Sequence, residues 1–258
     1  MRLYFKFLSM HFKSAMEYKV SFILTTIGQF LISFSSFLGL YFLFNRFSSI
    51  EGFSYNEVLL CYSVVLISYA VAECLACGFK NFAAIIVKGG FDSIMIRPCS
   101  ELFMVFTSSM EFSSFGKLLQ AIMVLIYALM AGNVEWNPQR IMVYILMIAG
   151  GILLFTGLYI IYAALCFFTI EGLEFINIFT DGGKEFGKYP MKVYGGTILK
   201  VFTILVPLAC VQYYPLLYVL GRSSNIVLAL SPLYTIVFLI FSIILWKYGV
   251  RNYKSTGS

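Results

Sequence analysis

The sequence predicts an all-α, polytopic membrane protein with six transmembrane helices, an N-terminal interfacial helix, a short helix in a cytoplasmic loop, and both termini cytoplasmic. Three observations carry this. Hydrophobic residues make up 60% of the chain and charged residues 12%, with a mean hydropathy of +0.89, whereas a soluble domain carries roughly 25% charged residues. Uniformly apolar runs of about 20 residues recur along the chain, each long enough to cross a bilayer. Basic residues flank those runs unevenly.

Residues 1–19 form the first unit. On a helix, Arg2, Lys6, Ser9, Lys13 and Glu17 fall in one narrow sector, with Leu3, Phe5, Phe7, Met10 and Phe12 outside it, the pattern of a helix lying on the leaflet surface. Basic residues continue to Lys19 and no small-residue cleavage site follows a short apolar core, so it does not read as a signal peptide. Residues 20–258 form the second unit, with spans at 20–44, 58–79, 114–131, 141–168, 195–220 and 226–246. The runs lack the alternation of barrel strands, and a bilayer leaves the backbone no partners but its own, so they become helices.

With both termini inside, fifteen of the 18 basic residues face the cytoplasm and only Arg46, Arg140 and Arg222 lie outside. That bias sets the orientation and supports an even number of spans. It also disfavours nucleic acid as a partner, because no soluble face concentrates the positive charge. The six cysteines sit in or beside apolar runs, so free thiols are expected rather than a disulfide framework.

Several motifs invite chemical readings that their context does not support. Gly182-Gly-Lys-Glu-Phe-Gly-Lys188 spells the start of a phosphate loop, but Tyr189 stands where a hydroxyl should bind magnesium and Pro190 disfavours a following helix. Cys74 and Cys77 lack a second ligand pair, and the sole histidine, His11, lies in the N-terminal unit. No metal site is expected. Glu171 and Glu174, one helical turn apart beside Lys184 and Lys188, read as a solvated face of a cytoplasmic loop. Glu73, near the end of the second span, is a candidate pathway or subunit-pairing residue, or else a carboxylate that reaches interfacial water and pairs with Lys80.

The loop between the second and third spans is more informative. Phe82, Ile85 and Ile86 form the stripe of a short helix that Gly89 and Gly90 break; Asp92 suits the cap of a second turn, which Pro98 ends at Arg97. An apolar stripe on such a loop needs a cover, either lipid headgroups or a protein groove. Farther along, Pro207 should bend or shorten the fifth span, leaving Gln212, Tyr213, Tyr214 and Pro215 near the outer surface as a broken or re-entrant segment or as an ordinary outer loop.

Gly-Gly-Phe-Asp-Ser-Ile-Met-Ile-Arg-Pro, from Gly89 to Pro98, resembles the G-x-h-D-x-x-h-x-R-P signature of ABC-2-type permeases, the membrane subunits of a class of ATP-binding-cassette transporters. The likeness continues through Tyr189-Pro190, Val206-Pro207, Tyr214-Pro215 and the ending from Trp246 to Ser258, and so covers nearly the whole chain. Gly90, where a polar residue is more usual, and Cys99 after Arg-Pro depart from the pattern.

The resemblance implies a six-span half-transporter, in the plasma or inner membrane of a bacterium, that dimerises with an identical or paralogous permease. Each copy would rest its loop as a coupling helix in a nucleotide-binding ATPase subunit, two of which complete the complex. ATP and Mg would be bound by those partners, and no cofactor by this chain. Phe82, Ile85, Ile86 and Phe91 would then fill the ATPase groove, Asp92 and Arg97 would orient the loop, and residues 212–215 would be a candidate exit gate. The expected cargo is hydrophobic or amphipathic and exported. The alternatives are an ion channel or ion-driven carrier, which needs several charged groups buried near the midplane, and a membrane-embedded enzyme, for which no nucleophile, base and orienting group come together.

Overall fold

The computed structural model describes residues 2–132, 134–169 and 174–253, and for Arg2 and residues 174–176 only the backbone. Helix α1 (Arg2–Glu17) leads into α2 (Lys19–Arg46), followed by α3 (Tyr55–Lys80). Three short helices follow, α4 (Phe82–Val87), α5 (Gly90–Met95) and α6 (Glu101–Phe106), before the long helices α7 (Phe115–Ala131) and α8 (Pro138–Leu165). The remainder comprises α9 (Glu174–Phe186), α10 (Gly196–Ile204), α11 (Leu208–Gln212), α12 (Tyr214–Val219), α13 (Ile226–Ala229) and α14 (Tyr234–Asn252). Among the described residues the only strand-like pairing is one bridge between Ile50 and Phe53.

Five helical stretches are long and apolar enough to cross a membrane, and the count rises to six if the bent pair at 196–204 and 208–219 is one crossing. Helix α3 sits at the centre, with 89% of its apolar window buried against 11% for α2. The reason lies in its sequence: it is apolar all round, so no face prefers lipid to protein. Helices α7 and α8 flank it, α14 packs on α8, and α2 packs on α7. Asn137 caps α8 by accepting the Arg140 N–H at 2.8 Å, and Pro138 occupies its first turn.

Close approach replaces the hydrophobic effect as the glue between helices in lipid. A Cβ on Gly116 would stand 2.1 Å from the carbonyl oxygen of Thr26, so α2 and α7 touch backbone to backbone there. At Gly151 a Cβ would lie 2.3 Å from the Ser68 hydroxyl, which donates to the Ile148 carbonyl at 3.0 Å.

The fifth crossing departs from the expected run at 195–220. The chain rises alongside α3 already in α9: Asp181 meets Tyr69, and the Gly187 carbonyl accepts from Cys61 Sγ at 3.5 Å. A rise of 1.5 Å per residue puts Cys61 about 9 Å from the Tyr55 end of α3 and about 28 Å from its Lys80 end. Lys188 reaches Ser36 on α2 at 3.0 Å, about 25 Å above Lys19 and about 15 Å below Arg46. Residues 181–187 thus run from the level of Tyr69, near the middle of α3, to that of Cys61, about three quarters of the way from its Lys80 end, whereas the sequence places a cytoplasmic loop here. The chain then runs aside through α10, turns by 93°, and leaves along α8 through α11 and α12. The turn falls at Val206-Pro207, as Pro207 predicts, because proline offers no amide to continue α10.

Replacing Gly116 by alanine should push α2 off α7 and cost about 1–3 kcal/mol, read as a lower thermal midpoint in detergent. Gly39→Ala, whose Cβ would meet nothing within 4 Å, should leave the midpoint unchanged or raise it.

Candidate functional site

Two features at different depths carry the functional argument: the face made by α4 and α5 at one end of the bundle, and a buried set of charges between α3, α7 and α9. At the first, Gly89 adopts φ +66° and separates α4 from α5, a conformation that side chains disfavour. Gly90 begins α5. Asp92 sits in the first turn of α5 rather than at its cap, and the helix closes at Met95, two residues before Arg97.

The apolar stripe points inward. Phe82 and Phe91 are fully buried and Ile86 nearly so, while Ile85 is half-buried. Phe82 meets Trp246 at 5.0 Å and Phe167 at 5.1 Å between ring centroids, and Phe91 meets Tyr253 at 5.0 Å. The groove these side chains fill is the chain's own, made by the ends of α8 and α14, which corrects the expectation that they enter an ATPase groove. The physical reason is that two bulky aromatic residues, Phe167 just past α8 and Trp246 toward the end of α14, meet at 5.1 Å between ring centroids and need a cover. Asp92 lies beside the Tyr253 hydroxyl, whose pKa is raised first by burial and then by that carboxylate.

What the loop shows outward is a different set. Ile96 is 84% exposed, Val87 61% and Met95 44%, and Arg97 and Pro98 are exposed beside them. Spacing alone missed these residues, since it marks one face of a helix without saying which neighbour covers it. Helix α1 docks nearby: Tyr4 stacks on Phe106 at 6.0 Å, and His11 Nε2 lies 2.9 Å from the Thr107 carbonyl.

At the second feature Glu73 is 2% exposed and takes partners from its own chain. Lys117 Nζ donates to it at 2.5 Å, Lys80 Nζ at 2.9 Å and Ser114 Oγ at 2.7 Å. The expected pairing with Lys80 is present. Lys117, itself 6% exposed, is a second cation on the same carboxylate. Tyr69 extends the set, its hydroxyl lying 3.2 Å from Glu73 and also against Asp181, with Lys184 over its ring at 4.9 Å.

The remaining candidates lie apart from these two features. Gln212 is fully buried, where it accepts from Cys61 Sγ at 2.6 Å and donates to the Tyr189 carbonyl at 3.1 Å. Tyr213 and Pro215 are buried and Tyr214 half-buried in the helical stretch 208–219 that follows the 93° bend, so residues 212–215 belong to the broken segment, the first of the two expectations, rather than to an ordinary outer loop. The far end is closed instead by Arg222, which donates to Glu57 at 2.7 Å and to the Gly52 carbonyl at 2.8 Å. The run 182–186 is helical and so makes no phosphate cradle; Pro190 follows its end and is buried. Glu171 and the side chain of Glu174 lie outside the described residues. All six cysteines are free.

Changing Glu73 to glutamine should strand Lys117 without a counter-charge and cost about 3–5 kcal/mol, measured as loss of thermal stability in detergent. The double change Glu73→Gln with Lys117→Met should recover much of that loss, because the desolvated charge is then gone.

A family model described as ABC-2 family transporter protein matches residues 30–257 of the chain. No curated protein and no solved structure matches it.

Proposed function

The chain belongs to the ABC-2 family of transporter proteins, and on that premise we propose that it is the permease of an ATP-driven exporter whose ATPase subunits dock on the α4–α5 face. The family is one of membrane transport subunits that work with ATPase partners and are generally not catalytic themselves. The observation that carries the docking assignment is the contrast between the two sides of the loop. Its inner side is locked into the ends of α8 and α14 by aromatic contacts, and its outer side presents Val87, Met95, Ile96 and Arg97 to solvent.

This division gives each loop residue a mechanical role. Ile96 and Met95 enter a groove on the ATPase, and Arg97 fixes the register by pairing with a carboxylate or carbonyl there. Phe82, Ile86 and Phe91 do not touch the partner. They pass its movement to Phe167 and Trp246, so that α8 and α14 turn as the ATPase subunits close on nucleotide. Asp92 and Tyr253 hold the loop to the chain end. Two permeases, identical or paralogous, with two ATPases would complete the transporter, and α1 would rest on the cytoplasmic leaflet, with 20–258 as the transmembrane unit. ATP and Mg are then bound by the partners.

An ion channel or ion-driven carrier was to be marked by charges buried near the midplane, and Lys117, Asp181 and Lys188 do lie in the interior. A polar interior suits either kind of passage, and the family match favours the ATP-driven reading.

Replacing Arg97 by alanine should leave insertion and thermal stability unchanged but weaken association with the ATPase about tenfold or more and uncouple hydrolysis from transport. Co-purification and transport in proteoliposomes read both effects. A variant that assembles and transports normally removes Arg97 from the docking face. Phe82→Ala should behave differently, keeping the outer face but lowering stability by about 3–5 kcal/mol through the lost aromatic core.

A further inference from the structure

We infer that the crevice between α2 and α7 binds a lipid-phase molecule about one ring in size that carries a hydrogen-bond acceptor, a carbonyl or ether oxygen, within its apolar body. The site begins with the helix contact. Gly116 brings α7 against the α2 backbone at Thr26, and beyond that contact, from Gln120 toward Tyr127, a crevice of about 170 Å³ lies between the two helices. Phe30, Phe34 and Phe37 of α2 line one wall, and Met123, Val124 and Tyr127 of α7 the other. Phe30 and Phe34 stand nearly parallel at 6.1 Å between centroids and Phe34 meets Phe37 at 5.8 Å, because residues at this spacing share one side of a helix.

Gln120 separates this crevice from an ordinary groove between two helices. It is 1% exposed and forms part of the lining. Its Oε1 accepts from the Tyr62 hydroxyl at 3.3 Å, and that hydroxyl also lies 3.0 Å from the Ser33 carbonyl. Its Nε2 is buried with no partner among the described residues. A carboxamide carries two N–H hydrogens and Tyr62 could take at most one, so a donor is left over whichever way the amide is turned. A buried donor without an acceptor is costly, and an acceptor that reaches it recovers that cost.

The lining decides what can supply that acceptor. A held water needs several polar partners, and an apolar cavity of roughly 150 Å³ stays dry and takes benzene instead. Here the Tyr127 hydroxyl belongs to a residue two turns from Gln120, about 10 Å away by helical rise, and the rest of the lining is aromatic or aliphatic. Water is therefore a poor occupant. A plain lipid tail would fill the space but leave the amide unmet. Entry is sideways, since Phe34, Met123 and Tyr127 are exposed at the rim and the apolar window of α2 is only 11% buried. The occupant that satisfies every group lays a flat apolar body on the phenylalanine wall and turns one oxygen to Gln120.

The inference stands apart from the coupling assignment, and its test uses no nucleotide. The full-length chain, labelled with carbon-13 at its methionine methyl groups, is placed in lipid nanodiscs, and the Met123 signal is identified by its loss in Met123→Leu. Titration with 4-octylacetophenone should shift that signal saturably. The isopropyl analogue, in which the carbonyl oxygen is replaced by a methyl group, should bind about fivefold more weakly at equal concentration in the bilayer, the worth of one net hydrogen bond. Gln120→Leu should close the gap between the two probes, whereas Phe34→Leu, at the exposed rim, should weaken both alike and keep the gap. The comparison of the two probes on the unaltered chain needs no variant to fold. A signal that drifts without saturating, equal binding of the two probes to the unaltered chain, or a gap that persists in Gln120→Leu overturns the inference.

Discussion

Inside the bundle the Glu73 carboxylate holds Lys80 and Lys117 at once, and Tyr69 beside it ties Asp181 and Lys184 of α9 to the same place. None of these groups can leave alone without stranding another in a medium that does not solvate it. The consequence is architectural. Helix α9 is charged enough to belong in water, yet it runs along α3 into the membrane interior, because Tyr69 of α3 offers Asp181 and Lys184 a partner there. Once the chain has passed α9 and reached Cys61 and Ser36, about three quarters of the length of α3 from Lys80 is already covered.

A crossing that continues into short, bent helices leaves polar backbone groups at its break, and those groups need partners. The same logic accounts for Gln212. It bridges the two sides of the break through Cys61 and Tyr189, so it is a structural joint there. The far end closes by a separate device, the Arg222–Glu57 pair.

At the opposite end, aromatic stacking does what charge does in the middle. Phe82 and Phe91 are clamped between Phe167 and Trp246, so α4 and α5 cannot shift without moving the ends of two long helices. Rigid contact of this kind transmits displacement because packed interiors are dense and resist compression. A loop held only by its exposed residues would absorb the movement instead.

Composition and run length settled the helical membrane class, because a bilayer admits few alternatives. The short helices of the 82–95 loop and the break at Pro207 were legible too, since Gly89 and Pro207 act through their own backbone chemistry. Side choice was not legible: the spacing of Phe82, Ile85 and Ile86 defines a stripe, but only the placement of Phe167 and Trp246, far off in sequence, decides that it faces inward. Depth was hidden for the same reason. Lys184 and Lys188 look like loop residues to any local scale, and counting them as such lent the charge bias more weight than they warrant. Their true surroundings depend on Tyr69, Glu185 and Ser36, two of which lie more than a hundred residues away, and a charge is stable at a given depth only through the partners that tertiary structure brings to it.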